Sequence, residues 1–146
     1  MKSFSHIGIL VNNLSVMEEF YRDILGMRII WSSEGEKSYL TYGNNDVLGL
    51  QQKKHDVGAT IDLNTIRKKD INTPMFFHFG VMIDSKEEYI ELLDRIKNNN
   101  IIISEEKTSR DGSVSVYFSD PEKNCIQVSY APRNYYEQSK IWTNKL

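Results

Sequence analysis

Two histidines stand in matching surroundings: His6-Ile7-Gly8-Ile9-Leu10-Val11 and His78-Phe79-Gly80-Val81-Met82-Ile83. Each reads His-x-Gly followed by three apolar residues, and the copies lie about half a chain apart in 146 residues. Imidazole is the commonest neutral ligand for divalent transition metals. Two imidazoles plus one carboxylate on a rigid sheet leave open positions for a substrate. The third member is therefore sought as an acid on the last strand, where Cys125, Gln127 and Ser129 share a face and the residue found is Gln127, an amide.

The elements that must position these residues repeat with the histidines. The first copy predicts a strand over 4–12. A helix from Ser15 to about Leu25 should follow, opened by a capping box Ser15-Val16-Met17-Glu18 and closed by a left-handed Gly26. Val16, Met17, Phe20, Tyr21, Ile24 and Leu25 form its apolar stripe. Three strands follow near 27–33, 37–43 and 46–52, with turns at Ser33-Glu34-Gly35-Glu36 and Gly43-Asn44-Asn45-Asp46. The second copy predicts a strand at 76–84 and a helix from Ser85 to about Asn98, capped by Ser85 and Glu88, with Tyr89, Leu92, Leu93 and Ile96 buried. Strands near 100–107, 113–119 and 124–130 complete it, joined by the turns Arg110-Asp111-Gly112 and Asp120-Pro121-Glu122-Lys123-Asn124.

The order is βαβββ twice, one supersecondary unit duplicated. Strand alternation puts Ile7, Ile9 and Val11, and Phe77, Phe79 and Val81, beneath the helices. It puts His6 and Gly8, and His78 and Gly80, on the opposite, concave side, and pseudo-twofold packing is expected to bring the two imidazoles together. Residues 53–74 show no sustained period and read as a linker, with one helical turn near Leu63–Arg67. Residues 132–146 form an extension rich in aromatics (Tyr135, Tyr136, Trp142) that is expected to pack on the domain or a partner. One domain over 1–131 is expected, with modules 4–52 and 75–131.

Size and composition narrow the function. Hydrophobic content of 40% and charged content of 26% fit a globular fold. A net charge of −2 with mixed signs gives no nucleic-acid surface. No stretch is long and apolar enough for a membrane span. With 1 cysteine there is no intrachain disulfide, which fits a reducing compartment, most simply the cytoplasm.

Together His6-Ile7-Gly8-Ile9, Phe20-Tyr21-Arg22-Asp23-Ile24-Leu25-Gly26-Met27, His78-Phe79-Gly80-Val81 and Phe118-Ser119-Asp120-Pro121-Glu122-Lys123-Asn124-Cys125-Ile126-Gln127 resemble the vicinal oxygen chelate superfamily. That group comprises glyoxalase I, fosfomycin-resistance proteins, extradiol dioxygenases and bleomycin-resistance proteins. The resemblance covers 4–131 and implies an α+β fold: paired βαβββ modules forming an open, incompletely closed barrel of eight strands with helices outside. Its motifs are specific for the fold and weak for the reaction.

The resemblance also implies a metal site. Metal-dependent members use the histidine of the first strand, the histidine of the fifth and a glutamate of the eighth; these positions match His6, His78 and Gln127. A fourth ligand, in glyoxalase-like members, aligns with Gly49 or Gln51, neither of them an acid. The family's turn glycine is Lys123. A His/His/Gln set is weaker for a divalent ion (Zn, Ni, Mn or Fe) and one charge more positive, so it favours an anionic ligand. Tyr39, Gln51, Tyr117 and Cys125 are candidates for lining the substrate cup.

Each of these has a plainer reading. The two histidines also suit a cup that hydrogen-bonds a ligand without metal. Cys125 also suits a small buried hydrophobe. Tyr39, Tyr117 and Arg110 equally suit exposed strand edges. His55, Glu34 and Glu36 read as surface residues, and Arg67-Lys68-Lys69 as a solvated loop. Two functions remain. One is a glyoxalase/dioxygenase-type enzyme whose divalent ion binds two oxygens of a small substrate and stabilises an oxyanion or enolate. The other is a metal-free cup of the bleomycin-resistance type that sequesters a drug-like or aromatic molecule. With no glutamate at Gln127 the general base is unassigned, which argues against glyoxalase I itself. A homodimer is expected.

Overall fold

A computed structural model describes residues 6–44, 46–54, 78–109 and 112–131. The expectations for most of the linker, for His55, Arg67-Lys68-Lys69, Phe77 and Arg110, and for the 132–146 extension lie outside the described residues.

The βαβββ order appears twice. The first set is β1 (Ile7–Val11), α1 (Leu14–Glu19) running into a π-helical turn (Phe20–Ile24), β2 (Arg28–Ser33), β3 (Lys37–Thr41) and β4 (Leu48–Gln52). The second is β5 (Phe79–Ile83), α2 (Lys86–Asn98), β6 (Lys107–Thr108), β7 (Val114–Ser119) and β8 (Cys125–Tyr130). Hydrogen bonding gathers these strands into two mixed four-stranded sheets, ordered β1-β4-β3-β2 and β5-β8-β7-β6. The architecture is α+β. In each sheet the first strand pairs in parallel with the last and the remaining pairs are antiparallel. Two compact units result: residues 1–60 with Asp120–Lys123, and the remainder.

In the first unit α1 lies on β3 and β4. Met17, Phe20, Tyr21 and Leu25 are buried, as are Val11, Leu40, Leu48 and Leu50 from the strands. The alternation expected of β1 holds at Val11, which is fully buried, and weakens toward its start, where Ile7 is 36% exposed. In the second unit α2 packs on β5 and β8 through Tyr89, Leu92, Leu93 and Ile96. Burial and the adjacent Glu106 carboxylate push Tyr89 up to about 12.

Three local expectations need correction. The cap of α1 is Asn13, not Ser15: its side chain accepts the Val16 N–H at 3.2 Å, and the helix starts at Leu14. Asn13 wins because extended backbone there aims its carbonyl oxygen at the free amides, whereas Ser15 already lies inside the first turn. The last five residues of this helix widen to π geometry before Gly26, whose φ of +76° ends it as expected. The strand expected over 100–107 shrinks to β6. Ser104 takes the Tyr117 N–H on its hydroxyl (2.9 Å) and gives its own N–H to the Tyr117 carbonyl (2.8 Å), so a side chain replaces a ladder bond. The second cap is as expected, with Ser85 accepting the Glu88 N–H at 3.2 Å.

Candidate functional site

Pairing registers align the two sheets residue by residue. Across the first sheet run Gly8, Gly49, Tyr39 and Trp31, each paired with the next. Across the second run Gly80, Gln127 and Tyr117. Each histidine sits two residues before its row's first glycine. His6, Gly8, Gly49 and Tyr39 thus correspond to His78, Gly80, Gln127 and Tyr117. The counterpart of Gln127 is Gly49 rather than Gln51, and it has no side chain to offer a ligand.

The second sheet builds a polar cluster. His78 is half-buried, with its ring edge-on to Tyr117 at 5.4 Å between centroids and 90° between planes. Burial lowers its pKa from the ordinary 6.5, and a hydrogen bond with the Gln127 side chain opposes that shift. The net direction is downward, so the ring is neutral near pH 7 with a nitrogen lone pair to offer. Burial, then the neighbouring Cys125, raises Tyr117, whose phenol stays protonated as a donor. Cys125 is itself buried at 3% exposure. The structure therefore brings His78, Gln127, Tyr117 and Cys125 to one sheet.

The first sheet builds a hollow of about 320 Å³. His6, Gly8, Leu10, Lys37, Tyr39, Gly49 and Gln51 are among the residues that line it. Gly8 has nothing within 4 Å of where a Cβ would stand, whereas a Cβ on Gly49 would meet the Tyr39 ring at 3.2 Å. Open space therefore lies over Gly8, while the Tyr39 ring lies over Gly49, its partner across β1 and β4. His6, Tyr39 and Gln51 are thus brought together here.

Alternation along β1 already puts Leu10 on the face of His6 and Gly8, and it lines the hollow with them. Sequence reasoning missed Lys37 and Trp31. Lys37 was legible by alternation, two residues from Tyr39. Trp31 was not. A bulge between Ile29 and Trp31 shifts the register, so Ile29 pairs with Leu40 but Trp31 pairs with Tyr39. The ring centroids of Trp31 and Tyr39 are 5.2 Å apart.

Imidazole and amide oxygen are donor types that suit a divalent ion, though without the charge that a carboxylate adds. Among the described residues no three His, Cys, Asp or Glu side chains cluster as metal ligands, and Gln127 stands outside those types. Among them, too, no helix is long and apolar enough to cross a membrane.

Comparison with known proteins agrees with this fold. The solved lactoylglutathione lyase of Agrobacterium tumefaciens is similar in fold, at 23% identity and a TM-score of 0.67, over 90% of this chain and 95% of that one. A glyoxalase/dioxygenase of Nostoc punctiforme is similar at 18% identity and a TM-score of 0.71, over 90% and 92%. The fosfomycin resistance protein FosX of Listeria monocytogenes is similar at 18% and 0.65, over 92% and 98%. The family model of the Glyoxalase/Bleomycin resistance protein/Dioxygenase superfamily matches residues 3–128, nearly the whole of both βαβββ repeats. With its paired His-x-Gly strands and its glyoxalase-like sheets, the chain belongs to that superfamily.

Proposed function

We propose that the chain is a metal-assisted enzyme of the glyoxalase/dioxygenase type, in which the two sheets form an open barrel and His6, His78 and Gln127 hold a divalent ion. The observation that carries this reading is the register equivalence of the two histidines, together with a His78 kept neutral by burial and engaged by Gln127. A divalent ion bound there supplies Lewis acidity toward substrate oxygens. The chain's own groups do the rest. Gln127 orients the His78 ring, and Tyr117 presents a phenol that keeps its proton and donates to a substrate oxygen. The general base is left unassigned, since no carboxylate stands at 127.

Elemental analysis of untagged protein, followed by titration with Zn, Ni, Mn and Fe, tests this reading. A protein that carries none of them and binds none on addition removes it. Gln127→Glu restores a charged oxygen and is expected to raise metal affinity by more than about 10–100-fold, the range seen when only groups behind the ligands are lost. Unchanged affinity would count against ligation.

The hollow of the first sheet favours a second reading, a metal-free cup that binds a small molecule against Tyr39 and Leu10. In either case we place the protein in the cytoplasm, because its lone thiol suits a reducing compartment. We also expect a homodimer, which sedimentation of the purified chain checks.

A further inference from the structure

We infer that the first sheet's hollow is a subsite for a planar carboxylate, an aromatic acid whose ring lies against Tyr39 and whose anion meets Lys37. This deepens the reading above and rests on it for which face of the sheet meets ligand. Tyr39 and Trp31 keep 39% and 48% of their surfaces exposed, within a pair of rings 5.2 Å apart. Exposed aromatic faces beside an empty floor suit offset stacking with a flat ligand. Gly8 provides the floor, since no atom lies within 4 Å of its absent Cβ.

Charge completes the argument. Lys37 is half-buried at the hollow and, among the described residues, its ammonium forms no ion pair. It precedes Tyr39 by two residues on the same face of β3, about 7 Å along the strand. One small molecule can therefore face Tyr39 with its ring and Lys37 with its acid. Gln51 pairs directly opposite Lys37 and offers an amide N–H to the second oxygen. A partly desolvated ammonium prefers an anion to a neutral dipole.

The test titrates benzoate, neutral benzamide and non-planar cyclohexanecarboxylate into the protein as purified, by calorimetry. Benzoate is expected to bind about tenfold or more tighter than benzamide, the worth of one charge-assisted hydrogen bond, and about threefold or more tighter than cyclohexanecarboxylate, which keeps the anion and loses the stacking ring. Lys37→Met should cost benzoate about tenfold and leave benzamide unchanged, and Lys37→Arg should restore most of the loss. Gly8→Val fills the floor with a residue suited to a strand, so melting should be unchanged or raised while benzoate binding is lost. Benzoate that binds no better than its analogues, or binds Lys37→Met or Gly8→Val as well as the parent, overturns the inference. Elemental analysis of the same preparations reads the metal separately. Benzoate binding by metal-free protein sustains the subsite and removes the ion; zinc binding without benzoate binding does the reverse.

Discussion

Lys123 holds a φ of +70°, in the left-handed region, where the superfamily resemblance expects glycine. Its N–H closes the turn by reaching the Asp120 carbonyl at 3.0 Å, so the conformation is imposed by the turn rather than chosen by the side chain. A Cβ in that region crowds the following carbonyl. Lys123→Gly should raise unfolding stability by about 1 kcal/mol, measured by urea denaturation; an unchanged or lower midpoint would speak against strain. His78 has the opposite kind of legibility, since its type was plain and its state was not. Its folded pKa lies below the ordinary 6.5, so the unfolded chain binds the extra proton more readily. The sign follows: the favourable contribution of His78 is full above 6.5 and is lost as pH falls through the lowered folded value. NMR of the ring proton should report that lower midpoint, and a midpoint at or above 6.5 would contradict a ring held neutral by burial.

Among the elements, α1 shows how a cap is chosen. Asn and Ser both suit an N-cap by residue type, and the Ser15–Glu18 spacing points to Ser15. Tertiary anchoring decides otherwise. The Glu122 carboxylate accepts the Asn12 N–H at 2.7 and 2.8 Å and the Asn13 N–H at 2.7 Å. The Gln52 side chain accepts the Leu14 N–H at 2.8 Å and donates to the Asn12 carbonyl at 2.6 Å. These partners hold the chain extended through Asn13, so the helix starts at Leu14. Asn13→Ala should therefore cost about 1 kcal/mol and Ser15→Ala close to nothing, both read by thermal melting; the reverse order would return the cap to Ser15. Strand β2 teaches a related lesson. Strict alternation puts Trp31 beneath the helix with Ile29, and the bulge between them carries it to the Tyr39 face of the sheet instead.

Across the whole molecule, two motif stretches far apart in sequence prove to be one contact. The buried Tyr21 hydroxyl donates to Asp120 at 2.8 Å across 99 positions, and both residues are almost fully buried. Burial first, then the Asp120 charge, pushes Tyr21 well above the ordinary 10.0, so it remains a donor at any physiological pH. The Phe-Tyr-x-x-x-Leu-Gly and Asp-Pro-x-x-Asn signatures thus have a physical reason to occur together: each supplies half of a buried hydrogen bond. Tyr21→Phe keeps the ring and strands the carboxylate, and should cost about 1–3 kcal/mol in equilibrium unfolding. A neutral result would mean that Asp120 finds another donor.

Sequence alone determined the duplicated βαβββ order, the matching of His6 with His78, the second helix cap and the superfamily. The first three rest on short-range periodicity and spacing that a chain displays before it folds, and the superfamily rests on the resemblance of its motif stretches. Tertiary structure decided the equivalence of Gly49 with Gln127, because only a pairing register says which residues stand opposite. It decided that Gly8 leaves a hollow open beside Lys37 and that Trp31 stands against Tyr39, since a bulge and a missing side chain act only through what lies across the sheet. It also decided the neutrality of His78, for burial is a property of the packed environment and of no residue by itself.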